Sequence, residues 1–237
     1  MMRPASRLAL LTLAGLASFS EALAAPPLTG FPFTDEDLNF SVNWPSGLSL
    51  GESHLHARHS GESWRFGLTL DAGVPGFAVK DTYSSVSNAA FCSSSFERKT
   101  SHGSRNTDEK ETVDPGRAKA VRTSLPGGGT SEIAVPDCVR DALTFLFFAR
   151  RELGQGRVPP AQSVLMGGLY PMRLDYAGAQ NITVNEKPEA SDKIICTVKT
   201  ASSEYKFEIY FARDAARTPL LIKAPFAMGT FSMELIR

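Results

Sequence analysis

Asp137-Cys138-Val139-Arg140-Asp141-Ala142-Leu143-Thr144-Phe145-Leu146-Phe147-Phe148-Ala149-Arg150-Arg151-Glu152-Leu153-Gly154 is the stretch on which the fold turns. Val139, Ala142, Leu143, Leu146, Phe147 and Leu153 recur at helical spacing. Asp137, after Pro136, is the expected N-cap, and Gly154 the stop signal. Arg150 and Arg151 fall in the last turn, where cations suit the helix dipole. Phe145 and Phe148 make the helix apolar on more than one side, so other structure must wrap it. The reading is a helix over Asp137–Leu153 that acts as a plug.

Outward from this segment the chain alternates in steps of two. Leu38, Phe40 and Val42 alternate with polar residues before the turn at Pro45-Ser46-Gly47. Leu55 and Ala57 alternate with His54, His56 and Arg58, and Trp64, Phe66, Leu68 and Leu70 share the next apolar face. Beyond the helix, Tyr170, Met172, Leu174 and Tyr176 repeat the pattern, as do Tyr205, Phe207, Ile209 and Phe211. Short half-apolar runs punctuated by Gly, Pro, Asn and Ser are hairpin grammar. The fold class expected is mainly β: one large curved antiparallel meander, half-barrel-like, over residues 30–237, wrapped around one α-helix.

The N-terminus reads as a signal peptide over residues 1–24. Arg3 and Arg7 precede an uncharged run from Leu8 to Phe19, and Ala22-Leu23-Ala24 supplies the small residues of a cleavage site. The expected location is therefore exported, periplasmic or extracytoplasmic. The apolar run is short for a bilayer, which takes about 20 residues, and no second long apolar segment follows. With 25 Lys+Arg against 25 Asp+Glu, no basic field recruits nucleic acid. Of three cysteines, Cys196 lies inside an apolar strand, while Cys92 and Cys138 lie at element edges. An oxidising compartment favours a Cys92–Cys138 bridge, the alternative being three buried thiols.

The combined pattern resembles an exported bacterial family, domain of unknown function 3108. The resemblance rests on Leu38 to Trp44 with Gly47 and Gly51, on Lys80-Asp81-Thr82-Tyr83, and on Phe96-Glu97-Arg98. It rests most on Asp141 to Arg151, with Phe148 where the family's helix carries Tyr or Phe, and on the endings Ala212 to Pro219 and Gly229 to Leu235. It implies a β-rich envelope protein of unestablished activity, a curved sheet loosely similar to periplasmic lipoprotein carriers.

Candidate chemistry is sparse. His54 and His56 share a strand face and a metal would need both, plus Glu52, His59 or His102; exposed polar residues are the plainer reading. His102 with Asp81 or Asp108 and a serine suggests a hydrolytic triad, but no Gly-x-Ser-x-Gly elbow is present. Glu97 and Glu111 on paired strands suggest a glycosidase pair, against which ordinary salt bridges are the commoner fate. No catalytic or metal residue and no cofactor is assigned. Asp141 and Arg151 are expected to organise the helix. Trp64, Phe66, Tyr170, Tyr205 and Phe207 are expected either to fill the core or to line a cleft for an apolar or amphipathic small molecule. The competing expectation is a protein–protein module in envelope assembly that uses an exposed strand edge.

Overall fold

The computed structural model describes residues 35–74, 76–226 and 229–236. The segment read as a signal peptide lies outside them. The alternating runs form β1 (Glu36–Asn43), β2 (Ser49–Ser60), β3 (Ser63–Val74), β4 (Phe77–Asn88), β5 (Ser93–His102), β6 (Arg105–Asp114), β7 (Lys119–Ser124) and β8 (Thr130–Ala134). After a two-residue strand β9 (Arg140–Asp141) comes the helix α1 (Ala142–Gly154). The chain then makes β10 (Gln162–Leu165), β11 (Leu169–Val184), β12 (Lys187–Lys199), β13 (Glu204–Ala212), β14 (Pro219–Phe226) and β15 (Gly229–Leu235).

All fifteen strands belong to one sheet, which runs from β8 down to β1, crosses to β15, and runs down again to β9. Hairpin connections make the neighbours antiparallel, with one departure from a pure meander. β9 and β10 pair in parallel, Val164 opposite Arg140 and Leu165 opposite Asp141, because the helix carries the chain across between them. The sheet curls so that its alternating apolar positions face inward. Phe40, Leu55, Phe66, Phe96, Ile194, Phe211 and Leu220 are all at most 2 % exposed and join one core with the helix.

The helix fills the enclosed space. Phe147 is completely buried, Phe145, Leu143 and Phe148 nearly so. The Phe66 ring stacks on Phe147 with 4.1 Å between centroids, and Trp64 stacks on Phe66. Burying one such ring stabilises the fold by about 1.5–3 kcal/mol.

The helix starts four residues later than its spacing suggests. Asp141, not Asp137, is the N-cap: its Oδ1 accepts from the backbone N–H of Leu143 and Thr144 at 2.9 and 3.0 Å. Cys138 is bridged to Cys92, and Arg140–Asp141 pair as β9, so the backbone stays extended until Asp141. Gly154 is the last helical residue, and Gly156, at φ +74°, makes the left-handed turn that ends the segment.

Curling brings the two ends of the sheet face to face. The Ser93 amide donates to the Val139 carbonyl at 2.9 Å, and the Gly167 amide, between β10 and β11, donates to the Glu111 carboxylate of β6 at 2.6 Å. Ala120 and Val135 pack on Val139 and Leu165 across the same seam.

Candidate functional site

A groove of about 390 Å³ opens where β10 begins, alongside β11 and β12. Ala161, Pro171 and Met172 give it apolar surface; Gln162, Ser163 and Thr197 give it hydrogen-bonding groups. Arg173, Lys199 and Glu204 stand at its rim. Arg173 pairs with Asp175 at 3.0 Å and Lys199 with Glu204 at 3.8 Å, all well exposed. Thr197 is 3 % exposed, and its hydroxyl has no hydrogen-bond partner among the described residues. A buried hydroxyl without a partner is costly.

Register explains how sequence-distant residues meet. Gln162 sits opposite Met172, Ser163 opposite Pro171, and Arg173 opposite Thr197. Behind the groove, Arg140 of β9 donates to Gln162 Oε1 at 2.9 Å and lies 3.7 Å over the Phe148 ring.

The five aromatic residues singled out from sequence are not gathered round one cavity. Trp64 and Phe66 are buried against the helix, which occupies the space where the sequence suggested a cleft. Phe207 packs at the edge of that core, and Tyr205 is 48 % exposed. Tyr170 is half-buried beside Gly168 near the seam.

Asp141 is completely buried and is the hub of the helix start. Its Oδ2 accepts from the hydroxyls of Ser85 at 2.5 Å, Ser93 at 2.6 Å and Thr144 at 2.9 Å, while its own amide donates to Ser93. Burial raises its pKa, and the Ser85, Ser93 and Thr144 hydrogen bonds oppose that rise. Ser93 is thus an interior residue, not part of a solvated strand edge. Arg151 lies 5.0 Å from the Phe91 and Phe148 rings and reaches Glu152 at 3.3 Å. The deeper partner is its neighbour Arg150, wholly buried, which sequence reading treated only as a dipole cation.

The seam holds a second polar group. Glu109 accepts from Arg98 at 2.6 Å and from Arg122, and Glu111 lies beside them. Burial works against the charge on Glu109, yet the Arg122 and Arg98 hydrogen bonds hold its pKa below the usual value. Burial pushes Glu111 up to about 7, against the opposing Gly167 N–H and Arg98. Glu97 does not face Glu111: it sits opposite Lys110 on the outer surface, bonded at 2.6 Å, whereas Glu111 points inward opposite Phe96. A strand's two-residue period separates them, which rules out the paired-carboxylate arrangement.

His102 does meet Asp81, at 2.8 Å, and Tyr83 donates to the other Asp81 oxygen at 3.1 Å. No serine hydroxyl among the described residues joins them. His54 and His56 lie 5.4 Å apart by ring centroids, but His54 bonds Asp37, which Arg58 also holds. The His56 ring occupies the space over Gly67, where a Cβ would come within 2.1 Å of it. Among the described residues no cluster of three His, Cys, Asp or Glu suits a metal ion. Cys196 is buried, and burial pushes its thiol up to about 12.

Among the described residues no helix is long and apolar enough to cross a membrane. A β-barrel-like protein from Brucella abortus, itself a domain of unknown function (DUF1849), shares this fold: TM-score 0.65 at 6 % identity, over 88 % of this chain and 98 % of that one. No curated protein matches the chain. The family model of proteins of unknown function DUF3108 matches residues 39–236, nearly the whole sheet with its helix, and the chain belongs to that family.

Proposed function

We propose that this chain is an exported, non-enzymatic envelope protein that binds a small amphipathic molecule in the groove beside β10, β11 and β12. The observation that carries the reading is the Thr197 hydroxyl, buried in the groove wall and unpartnered, beside the apolar surface of Pro171 and Met172. Apolar walls with a few placed polar groups are the usual composition of a small-molecule site. The charge-free run at the N-terminus and the Cys92–Cys138 bridge support export.

The test is native mass spectrometry of protein exported by its own host, before and after Ser163→Trp, which places a bulky ring in the groove. An adduct carried by the wild type and absent from the variant supports the reading; bare protein in both sinks it. A new N-terminus at Ala25 is the expected processing product. The second reading, an assembly module, is favoured by β8, whose outer edge has no neighbouring strand among the described residues. A reproducible cross-link from Ser131 or Glu132 to one envelope protein, lost on Ile133→Pro, is what that reading expects.

A further inference from the structure

The turns at one end of the sheet differ in chemistry from those at the other. The β1–β2, β3–β4 and β5–β6 turns share an end, because neighbouring strands alternate in direction, and their hairpins are adjacent in the sheet. Contacts join them into one row. Gly51 pairs with Ala72, which brings the Leu48 turn beside Val74. The Phe77 ring lies over Gly103, where an added Cβ would stand 3.1 Å from it. Trp44 meets Phe231 of β15 edge-on, with 4.8 Å between ring centroids, and Pro45 covers Gly229.

Among the described residues these turns are formed by 44–48, 76 and 103–104, and none of them is charged, although charged residues make up 21 % of the chain. The turns at the opposite end carry Glu62, Glu186, Arg213, Asp214 and Arg217. Leu48 is 66 % exposed and Phe77 44 %. Turn positions favour Gly, Pro, Asn, Asp and Ser. Two large apolar side chains left in water on adjacent tips, continuous with Trp44 and Phe231, mark a contact surface.

Behind the tips the inward positions stay apolar. Met233, Val42, Gly51, Ala72 and Val79 are cross-strand neighbours in a line that ends at His102. Charge begins beyond this lip, with Arg105 at the start of β6 and, on the outward face, Glu52 and the pair Lys80–Asp71 at 3.1 Å. Tips on separate hairpins protrude and enclose nothing, so they offer no concave seat to a rigid partner. A fluid layer, apolar inside and polar at its surface, deforms around each tip and matches apolar ends backed by charge. We propose that this end of the sheet docks on a lipid surface, with Leu48 and Phe77 entering the acyl region and Trp44 and Arg105 level with the headgroups. The contact is apolar, so high salt leaves it intact, unlike attachment by a basic patch.

The test is flotation of the mature protein with vesicles of phosphatidylethanolamine and phosphatidylglycerol, in low and in high salt. The wild type is expected to float in both. Leu48→Ser and Phe77→Ser should each weaken partition about tenfold or more, the effect of withdrawing one large apolar side chain. Val158, 41 % exposed in the loop before β10 at the opposite end, is the control, and Val158→Ser should float like the wild type. Brominated lipids should quench Trp44 and spare the buried Trp64, so the quenching disappears in Trp44→Phe. Circular dichroism and melting confirm that each variant is folded, and Leu48→Ser alone decides should Phe77→Ser not fold. A wild type that does not float overturns the proposal, as does undiminished flotation of the tip variants or flotation lost in high salt. A dimer that Leu48→Ser dissociates, with no flotation of the wild type, assigns the tips to a second copy of the chain and also overturns it.

Discussion

Arg150 and Glu36, 114 residues apart, form a two-pronged ion pair at 2.7 and 2.8 Å between the buried face of the helix and the start of β1. Arg150 Nε also reaches the carbonyls of Ala216 and Arg217, in the turn between β13 and β14. One side chain therefore ties the helix to the two halves of the sheet where they meet. Glu36→Ala leaves that cation without its carboxylate, and a loss of about 3 kcal/mol is expected in urea unfolding, the low end for breaking a buried pair. The double variant Glu36→Leu/Arg150→Met should lose less than Glu36→Ala alone. An unchanged midpoint in Glu36→Ala would show that the pair is not structural.

Asp141 performs the same tying at the other end of the helix. Asp141→Ala removes the cap and strands the hydroxyls of Ser85, Ser93 and Thr144 in the core. Cap loss costs about 0.5–2 kcal/mol and each stranded hydroxyl about 1–3 kcal/mol, so severe destabilisation is expected. Asp141→Asn keeps a capping oxygen and carries no buried charge, and should cost clearly less. The comparison is read from guanidinium unfolding curves, and equal losses in the two variants would mean that the hydroxyl partners matter little.

Glu111 makes the seam sensitive to pH. Its folded pKa, raised by burial to about 7 from 4.5, means that the folded state holds the proton more tightly than the unfolded chain. The resulting stability is fully present below about pH 4.5 and is lost as pH rises through about 7, up to roughly 3 kcal/mol in all. Glu111→Gln cannot ionise, so its unfolding free energy should vary less between pH 5 and 8, and it should exceed the wild type at pH 8. Parallel pH profiles for the two proteins would overturn this assignment.

The Cys92–Cys138 bridge closes a segment of 46 residues and joins the β4–β5 turn to the chain entering the helix. Cys92→Ser/Cys138→Ser should lower stability by about 4 kcal/mol on the chain-entropy account, with Cys196 unmodified by thiol reagents in either protein until it unfolds. Calorimetry of the oxidised and reduced wild type checks the same figure without mutation, and coincident melts would refute it.

Composition and spacing reveal the Phe-rich helix, the alternating strands around it and the cysteine pair, because each is written in local order. What they conceal depends on register and on tertiary partners. Asp137 and Asp141 are equally good caps locally, and what decides between them is distant in sequence: the bridge to Cys92, the pairing of Arg140–Asp141 with β10, and the hydroxyls of Ser85 and Ser93 about fifty residues upstream. Arg150 and Arg151 are adjacent letters, but successive helical residues point in different directions, and one faces Glu36 while the other lies across Phe91. Glu97 and Glu111 sit on paired strands yet on opposite faces. The groove escapes sequence reading altogether, since the short parallel pairing of β9 with β10 is what brings Arg140 beside Gln162.

The pairing of β1 with β15, Phe40 opposite Leu235, sets the order in which the molecule can be completed. Among the described strands, those at the centre of the finished sheet are the earliest and the latest to emerge during synthesis. Each half can zip up by local hairpins, but the join that unites them spans almost the entire polypeptide, the kind of contact that slows folding most. Until that final ribbon arrives, the aromatic plug has only partial cover, so a ribosome-bound or truncated chain lacking the last hairpin would expose sticky surface and attract chaperones.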